Sequence, residues 1–149
     1  MARLQSRKSS CGPNALKNAL EALGIERTED ELGVLSKQTT EGTSQSGLER
    51  AIESIGKGDN IILSCSRIYE QRRETAGWAL SASVRAGCPV IAVVDNLDHW
   101  VSVVGLLNET FIAVDGASND LVLYYSLDDF LTRWESDTGK FYGIIVKKG

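Results

Sequence analysis

Hydrophobic side chains in the first 56 residues recur at the spacing of an α-helix, in three groups separated by polar segments. Pro13 suits the first turn of the first predicted helix, and Gly24 suits its end. The groups are Leu16, Ala19, Leu20 and Leu23; then Leu32, Val34 and Leu35; and then Leu48, Ala51, Ile52 and Ile55. The pattern predicts a helical N-terminal part of the chain.

Capping sequences mark where the second and third of these helices begin. Thr28 with Glu31 forms a capping box, in which a hydroxyl accepts a hydrogen bond from a free backbone N–H of the first turn. Ser46 with Glu49 has the same spacing and predicts the start of the third helix, which we expect to end at Gly56.

The rest of the chain changes to short hydrophobic runs rich in β-branched residues, which is typical of strands. We predict strands within residues 61–63, 90–94, 99–106, 111–115, 121–125 and 141–146. A helix follows Gly77 and ends near Gly87, and a short helix begins at Ser126. Short connections favour antiparallel pairing. The predicted fold is α+β, with an N-terminal helical half packed on a C-terminal, mostly antiparallel β-sheet.

Length and composition favour a single globular domain over residues 1–149, with 42% hydrophobic and 24% charged residues. No hydrophobic run approaches the length of a membrane span, and no secretion signal is visible, so we expect a soluble cytoplasmic protein without a membrane partner. The net charge of −4 disfavours a nucleic-acid partner. The oligomeric state is not predicted.

The chain contains three cysteines and one histidine. An odd number of widely spaced cysteines argues against a disulfide framework, and no cysteine pair has the spacing of a zinc site. We therefore predict no metal and no cofactor.

Cys11 lies directly before the first predicted helix. The positive end of the helix dipole stabilises a thiolate, which is the form that attacks carbonyl groups and disulfides. The alternative is a structural cysteine that acts as a small, half-buried apolar residue.

His99 is the only histidine, so any cysteine–histidine catalysis in this chain must use it. It begins a predicted strand directly after the turn at residues 95–98, where a side chain can face a cleft at the rim of a sheet. A surface histidine or a hydrogen-bonded core histidine is the alternative.

A basic histidine needs a third group to orient its ring, and Asp115 at the end of the next strand is the favoured residue, with Asp95 or Asp98 as alternatives. Opposite residues of an antiparallel pair share a face. Placing His99 opposite Asp115 therefore predicts a connection of three or five residues. A two-residue turn at residues 108–109 would instead put Asp115 on the other face.

Several of these residues together resemble a known family. Gln5, then Cys11-Gly12-Pro13, later the run His99-Trp100-Val101-Ser102-Val103-Val104-Gly105, and finally Asp115 are similar in order and spacing to papain-like cysteine peptidases that process double-glycine leader peptides of bacteriocins. Gly42-Thr43-Ser44 before a helix also fits this pattern. Two positions depart from it, because the family often has an acidic residue in place of Ser10 and a proline in place of Gly116.

The resemblance implies a papain-like fold and a role for each matching residue. Cys11 would be the nucleophile, His99 the general base and later general acid, and Asp115 the residue that orients the imidazole. Gln5 would be the oxyanion-hole donor, because its amide could stabilise the negative oxygen of a tetrahedral intermediate together with the Cys11 N–H.

The resemblance also implies a peptide or protein substrate. Leader-processing members are typically fused to membrane spans and an ATP-driven transporter module, which are not visible here, so we expect a free-standing cysteine endopeptidase. Two alternatives remain: a module of the same fold that binds a peptide without cutting it, and a related thiol amidase or acyltransferase.

Overall fold

Five helices and six strands occur in residues 11–37, 44–116 and 122–149, the part of the chain that the computed structural model describes. The helices are α1 (Cys11–Ala22), α2 (Glu29–Leu35), α3 (Gln45–Asp59), α4 (Arg73–Arg85) and α5 (Leu127–Trp134). The strands are β1 (Leu63–Glu70), β2 (Val90–Val94), β3 (His99–Leu107), β4 (Thr110–Val114), β5 (Val122–Tyr125) and β6 (Phe141–Lys148).

The six strands form one sheet in the order β1-β6-β2-β3-β4-β5, and each neighbouring pair is antiparallel. The predicted α+β class is confirmed. No helix within the described residues is long and apolar enough to cross a membrane.

Helices cover both faces of this sheet. On the α1 face, helices α1, α2 and α3 pack their buried side chains against residues of β2 and β6 such as Ile91 and Ile144. On the α5 face, helices α4 and α5 pack against Ala92, Val101 and Val103. The predicted helical half therefore accounts for one face, while two helices from the second half of the chain cover the other.

The capping prediction for α3 is wrong. Ser44 is the N-cap, and its hydroxyl accepts a hydrogen bond from the Gly47 N–H at 3.0 Å. Ser46 lies inside the first turn, where its hydroxyl instead accepts from Arg67 at 2.9 Å. The helix also continues past Gly56 to Asp59, because Asn60 adopts the left-handed conformation that ends it.

Other caps agree with the sequence. The Thr28 hydroxyl accepts from the Glu31 N–H, and the Ser126 hydroxyl accepts from the Asp129 N–H, each at 3.1 Å. In both helices a short polar side chain satisfies a backbone donor that the first turn leaves free.

The strand predicted within residues 61–63 lies later in the chain. β1 instead spans Leu63–Glu70 and forms one edge of the sheet, paired with β6. An edge strand keeps polar side chains in water, so a run such as Ser64, Ser66 and Arg67 contains no hydrophobic signal. The helix predicted after Gly77 likewise begins earlier, at Arg73.

Candidate active site

Cys11 is the first residue of helix α1, whereas the sequence predicts a helix that begins directly after it, and it is 8% exposed. Helix α1 packs across strand β3, where the buried Ser102 hydroxyl donates a hydrogen bond to the Ala15 carbonyl oxygen. This contact lies about one turn of helix from Cys11. The thiol is therefore held at the positive end of a helix that is tied to the sheet.

His99 is the first residue of β3, and Asp115 directly follows β4. The His99 Nε2 atom lies 2.6 Å from the Asp115 Oδ1 atom. Both side chains are mostly buried, with 12% of the His99 side chain and 4% of the Asp115 side chain exposed. A short contact in so dry a place is a strong charge-assisted hydrogen bond.

The connection between β3 and β4 is not the one predicted. Leu107 pairs with Thr110, so the turn has two residues, both with positive φ. The register then shifts between Val103 and Gly105, and Val103 pairs with Ala113. This bulge adds one residue to β3. Beyond it, the residues of β4 are therefore paired with β3 residues one position earlier than the two-residue turn alone would give. Asp115 consequently reaches the His99 face despite the short turn.

Electrostatic contacts set the protonation of His99. Burial lowers its pKa, but hydrogen bonds with Asp115 and with Cys11 outweigh burial and raise the pKa to about 9. Because Asp115 occupies Nε2, the Nδ1 atom is the ring nitrogen left to face the thiol. The raised pKa favours the charged form of the ring, which lies between the Asp115 carboxylate and Cys11.

Asp95 does not replace Asp115 in contact with the ring. Its carboxylate instead binds the guanidinium of Arg133 on α5, with Oδ1 at 3.0 Å from Nε and Oδ2 at 2.9 Å from Nη2. The Nη2 atom also donates to Asp115 Oδ2 at 3.1 Å. For Asp98, the backbone N–H donates to the Val94 carbonyl oxygen. The 2.6 Å contact with His99 thus identifies Asp115 as the carboxylate that binds the ring.

Arg133 was missed by the sequence reasoning. An arginine in the last turn of a helix is usually explained by the helix dipole or by solvation. Its position in the sequence could have indicated that it faces the sheet. Arg133 lies three residues after the buried Phe130 and next to the buried Trp134, on the side of α5 that packs on the sheet.

The remaining predicted residues divide into two groups. Gln5, Ser10 and residues 42–43 lie outside the described residues. Cys65 and Cys88 are described, are half-buried and form no disulfide. Burial, followed by the charges of Glu49 and Glu53, raises the pKa of the Cys65 thiol. Cys65 is therefore a poor nucleophile at neutral pH.

No group of three or more potential metal ligands occurs in residues 11–37, 44–116 and 122–149.

Gly116 explains one departure from the resembling family. A Cβ atom at this position would overlap the side-chain amide of Asn14 on α1. A proline there would meet the same obstacle. The glycine lets the backbone at residue 116 lie close to the helix that carries Cys11.

A model of the peptidase C39 family matches residues 2–138. The chain belongs to the peptidase C39 family. This is a family of cysteine peptidases. The match covers the positions of Cys11, His99 and Asp115, and it also includes Gln5.

Solved structures similar to this C39 chain confirm the papain-like fold. The peptidase domain of Streptococcus ComA, a bi-functional ABC transporter involved in quorum sensing, has a TM-score of 0.71 and 21% identity over 99% of this chain and 97% of that one. The peptidase domain of Streptococcus mutans ComA has a TM-score of 0.61 and 20% identity over 98% of each chain.

A double-glycine-motif protease from an AMS/PCAT transporter, in complex with a leader peptide, has a TM-score of 0.72 and 19% identity over 100% of this chain and 91% of that one. No curated protein matches the chain. At these identities the structural likenesses support the fold.

Proposed function

We propose that this C39 chain is a cysteine endopeptidase in which Cys11 attacks the substrate, His99 transfers the protons and Asp115 orients His99. The observation that carries this proposal is the 2.6 Å contact between His99 Nε2 and Asp115 Oδ1, on a ring whose pKa is also raised by Cys11. The nucleophile then neighbours the base, and the base contacts the carboxylate that orients it.

The first step is acylation. The Cys11 thiolate attacks the carbonyl carbon of the scissile peptide bond, and the carbonyl electrons move onto oxygen to give a tetrahedral intermediate. The start of helix α1 favours negative charge at this point, because its first N–H groups have no partner inside the helix. The family resemblance adds the Gln5 amide as a second donor to the oxyanion.

The intermediate then collapses. The C–N bond breaks, the imidazolium Nδ1 gives its proton to the leaving amine, and a thioester remains on Cys11. Neutral His99 next takes a proton from water, which attacks the thioester carbon. The acid product leaves, and the thiolate–imidazolium pair is restored.

Asp115 maintains the ring in the form that this cycle needs. Its carboxylate accepts a hydrogen bond from the Nε2–H in both the neutral and the charged ring. The neutral ring is therefore kept in the tautomer with a free lone pair on Nδ1, where the thiol and the attacking water are located.

The proposed substrate is a peptide or a protein. A structural neighbour of this chain was solved in complex with a leader peptide, which makes a double-glycine leader the first substrate to test. A thiol amidase or acyltransferase would use the same residues, and it would differ in whether an amine replaces water in the second step.

The test is to incubate the protein with a synthetic double-glycine leader peptide and with a peptide whose two glycines are replaced by alanine. Intact-mass and peptide-mass spectrometry would follow cleavage and any acyl adduct on Cys11. We expect cleavage through an adduct confined to Cys11 and absent from Cys11→Ala. Peptide that binds but stays uncut, with no adduct, would favour the binding module.

A further inference from the structure

Arg133 binds three side chains through the three nitrogens of its guanidinium group. Nε and Nη2 donate to Asp95, Nη2 also donates to Asp115 Oδ2, and Nη1 donates to the Tyr125 hydroxyl at 2.8 Å. About a fifth of the Arg133 side chain is exposed. The planar guanidinium therefore donates hydrogen bonds in several fixed directions at once, which a lysine could not do.

Two carboxylates stand on either side of this guanidinium. Asp115 is almost fully buried, and Asp95 is half exposed. The hydrogen bonds from Arg133, which outweigh burial, lower the pKa of Asp95. Without the cation, each carboxylate would raise the cost of ionising the other.

The two oxygens of Asp115 have different partners. Oδ2 accepts from Arg133 Nη2 at 3.1 Å, and Oδ1 lies 2.6 Å from His99 Nε2. A carboxylate fixed at one oxygen cannot rotate freely, so its other oxygen stays directed at the imidazole. Arg133 therefore places a positive charge beside Asp115 and helps to fix the orientation of its carboxylate.

The same helix also holds the turn that leads into His99. The Asp95 N–H donates to the Arg133 carbonyl oxygen at 3.2 Å. Asn96 exchanges two hydrogen bonds of 2.9 Å with Asp137, just beyond α5. Both partners of the His99–Asp115 contact are thus located by the C-terminal end of α5.

We propose that Arg133 is a positioning residue for catalysis: it keeps Asp115 ionised and aimed at His99, and through His99 it sustains the reactivity of Cys11. This inference rests on the proposed roles of Cys11, His99 and Asp115.

The experiment measures alkylation of Cys11 by iodoacetamide from pH 4 to pH 9, resolved by peptide mass spectrometry, so it needs no substrate. The charged and titratable groups that bear on the result are Cys11 and His99, the two carboxylates of Asp95 and Asp115, and the Tyr125 hydroxyl. Circular dichroism and thermal unfolding report whether each variant is folded.

Arg133→Met keeps most of the side-chain volume and removes the cation and its donors. We expect Cys11 in this variant to be alkylated about tenfold more slowly at pH 6, and its alkylation rate to rise only at a higher pH than in the wild type. The reason is that the Asp115 carboxylate takes up a proton more readily without the cation. Arg133→Lys restores the positive charge without the planar guanidinium donors, so it should recover part of the lost alkylation rate. It is also the variant to use if the methionine variant does not fold.

Arg73→Met is the matched control. Arg73 also binds residues at both ends of α5, with its Nη2 2.7 Å from Asp128 and its Nη1 3.1 Å from Glu135, but neither contact involves the proposed catalytic residues. Its alkylation profile should match the wild type. An equal loss in Arg73→Met would mean that loosening α5 is sufficient and would overturn the proposal.

His99→Ala separates the two proposals. A wild-type profile in folded Arg133→Met, with lost reactivity in His99→Ala, would overturn the role of Arg133 and leave the proposed function standing. A wild-type profile in both variants would overturn both.

Discussion

The two faces of the sheet contribute differently to the candidate site. The α1 face supplies Cys11 from a helix that packs on the sheet mainly through apolar side chains, with the Ser102 to Ala15 hydrogen bond among its ties. The α5 face supplies His99 and Asp115 and backs them with the guanidinium of Arg133. One face therefore locates the thiol, and the other carries the charged groups that contact His99.

Substitutions on the two faces should therefore affect different properties of the protein. Weakening the α1 face should cost stability and leave thiol chemistry nearly intact. Changing the charged groups on the α5 face should alter the reactivity of Cys11, because Arg133 contacts Asp115 and Asp115 contacts the His99 ring.

The largest effect should come from Cys11→Ala, which removes the nucleophile itself. We expect turnover to fall by roughly ten-thousandfold or more, with substrate binding and thermal stability close to wild type. Kinetics on a cleaved peptide together with calorimetric binding would measure both. Cys88→Ala is the control and should remain active, and comparable activity in the two variants would exclude Cys11 as the nucleophile.

Gln5→Ala should have the next largest effect. If its amide stabilises the oxyanion, turnover should fall by roughly a hundredfold to a thousandfold. Alkylation of Cys11 should stay unchanged, since iodoacetamide reacts without forming a tetrahedral oxyanion. Parallel loss of turnover and of alkylation would show that Gln5 affects the thiol rather than the transition state.

Asp115→Asn tests the α5 face directly. Loss of one charge-assisted hydrogen bond to His99, of about 1.5 to 3 kcal/mol, predicts a fall in turnover of roughly tenfold to a hundredfold. The enzyme stays active because the imidazole remains, although its useful tautomer is less favoured.

The pH profile sharpens this prediction. Activity requires the imidazolium proton, so it should decline as pH rises through the His99 pKa of about 9. Removing the Asp115 carboxylate removes a cause of that raised pKa, so the alkaline limb should move to lower pH in Asp115→Asn. Stopped assays from pH 6 to pH 10 would test it, and a limb that does not move would contradict the link between the two residues.

Ser102→Ala tests the α1 face and should have the smallest effect. It removes the hydroxyl that donates to the Ala15 carbonyl oxygen, and we expect the free energy of unfolding in urea to fall by about 1 kcal/mol. Cys11 alkylation should remain within about twofold of wild type, since the cost of one hydrogen bond falls on stability. A larger loss of reactivity than in Asp115→Asn would reverse the assignment of the two faces.

Much of the fold could be predicted because local signals agree with the packing. The hydrophobic stripe of α1, the caps at Thr28 and Ser126 and the fully buried strand β2 each follow from the residue pattern. The pattern failed at β1, an edge strand with polar residues, and at the α3 cap, where Ser44 and Ser46 offer competing hydroxyls.

The site could be predicted in part for a different reason. A single histidine left no choice of base, and Asp115 was favoured by its place at the end of a strand. The bulge between Val103 and Gly105 could not be predicted, because either strand register satisfies a mostly apolar pair. The contact between Arg133 and Asp115 could not be predicted from the sequence, because it depends on how helix α5 packs on the sheet.

The most direct test of the account is the rate of iodoacetamide labelling at each of the three cysteines of the folded protein at pH 6.5. We predict that Cys11 reacts at least about tenfold faster than Cys88 and than Cys65, whose thiol pKa is raised by burial. His99→Ala should abolish that advantage. Equal labelling of the three cysteines in the wild type, or an advantage of Cys11 that survives His99→Ala, would contradict the claim that the imidazole activates this thiol.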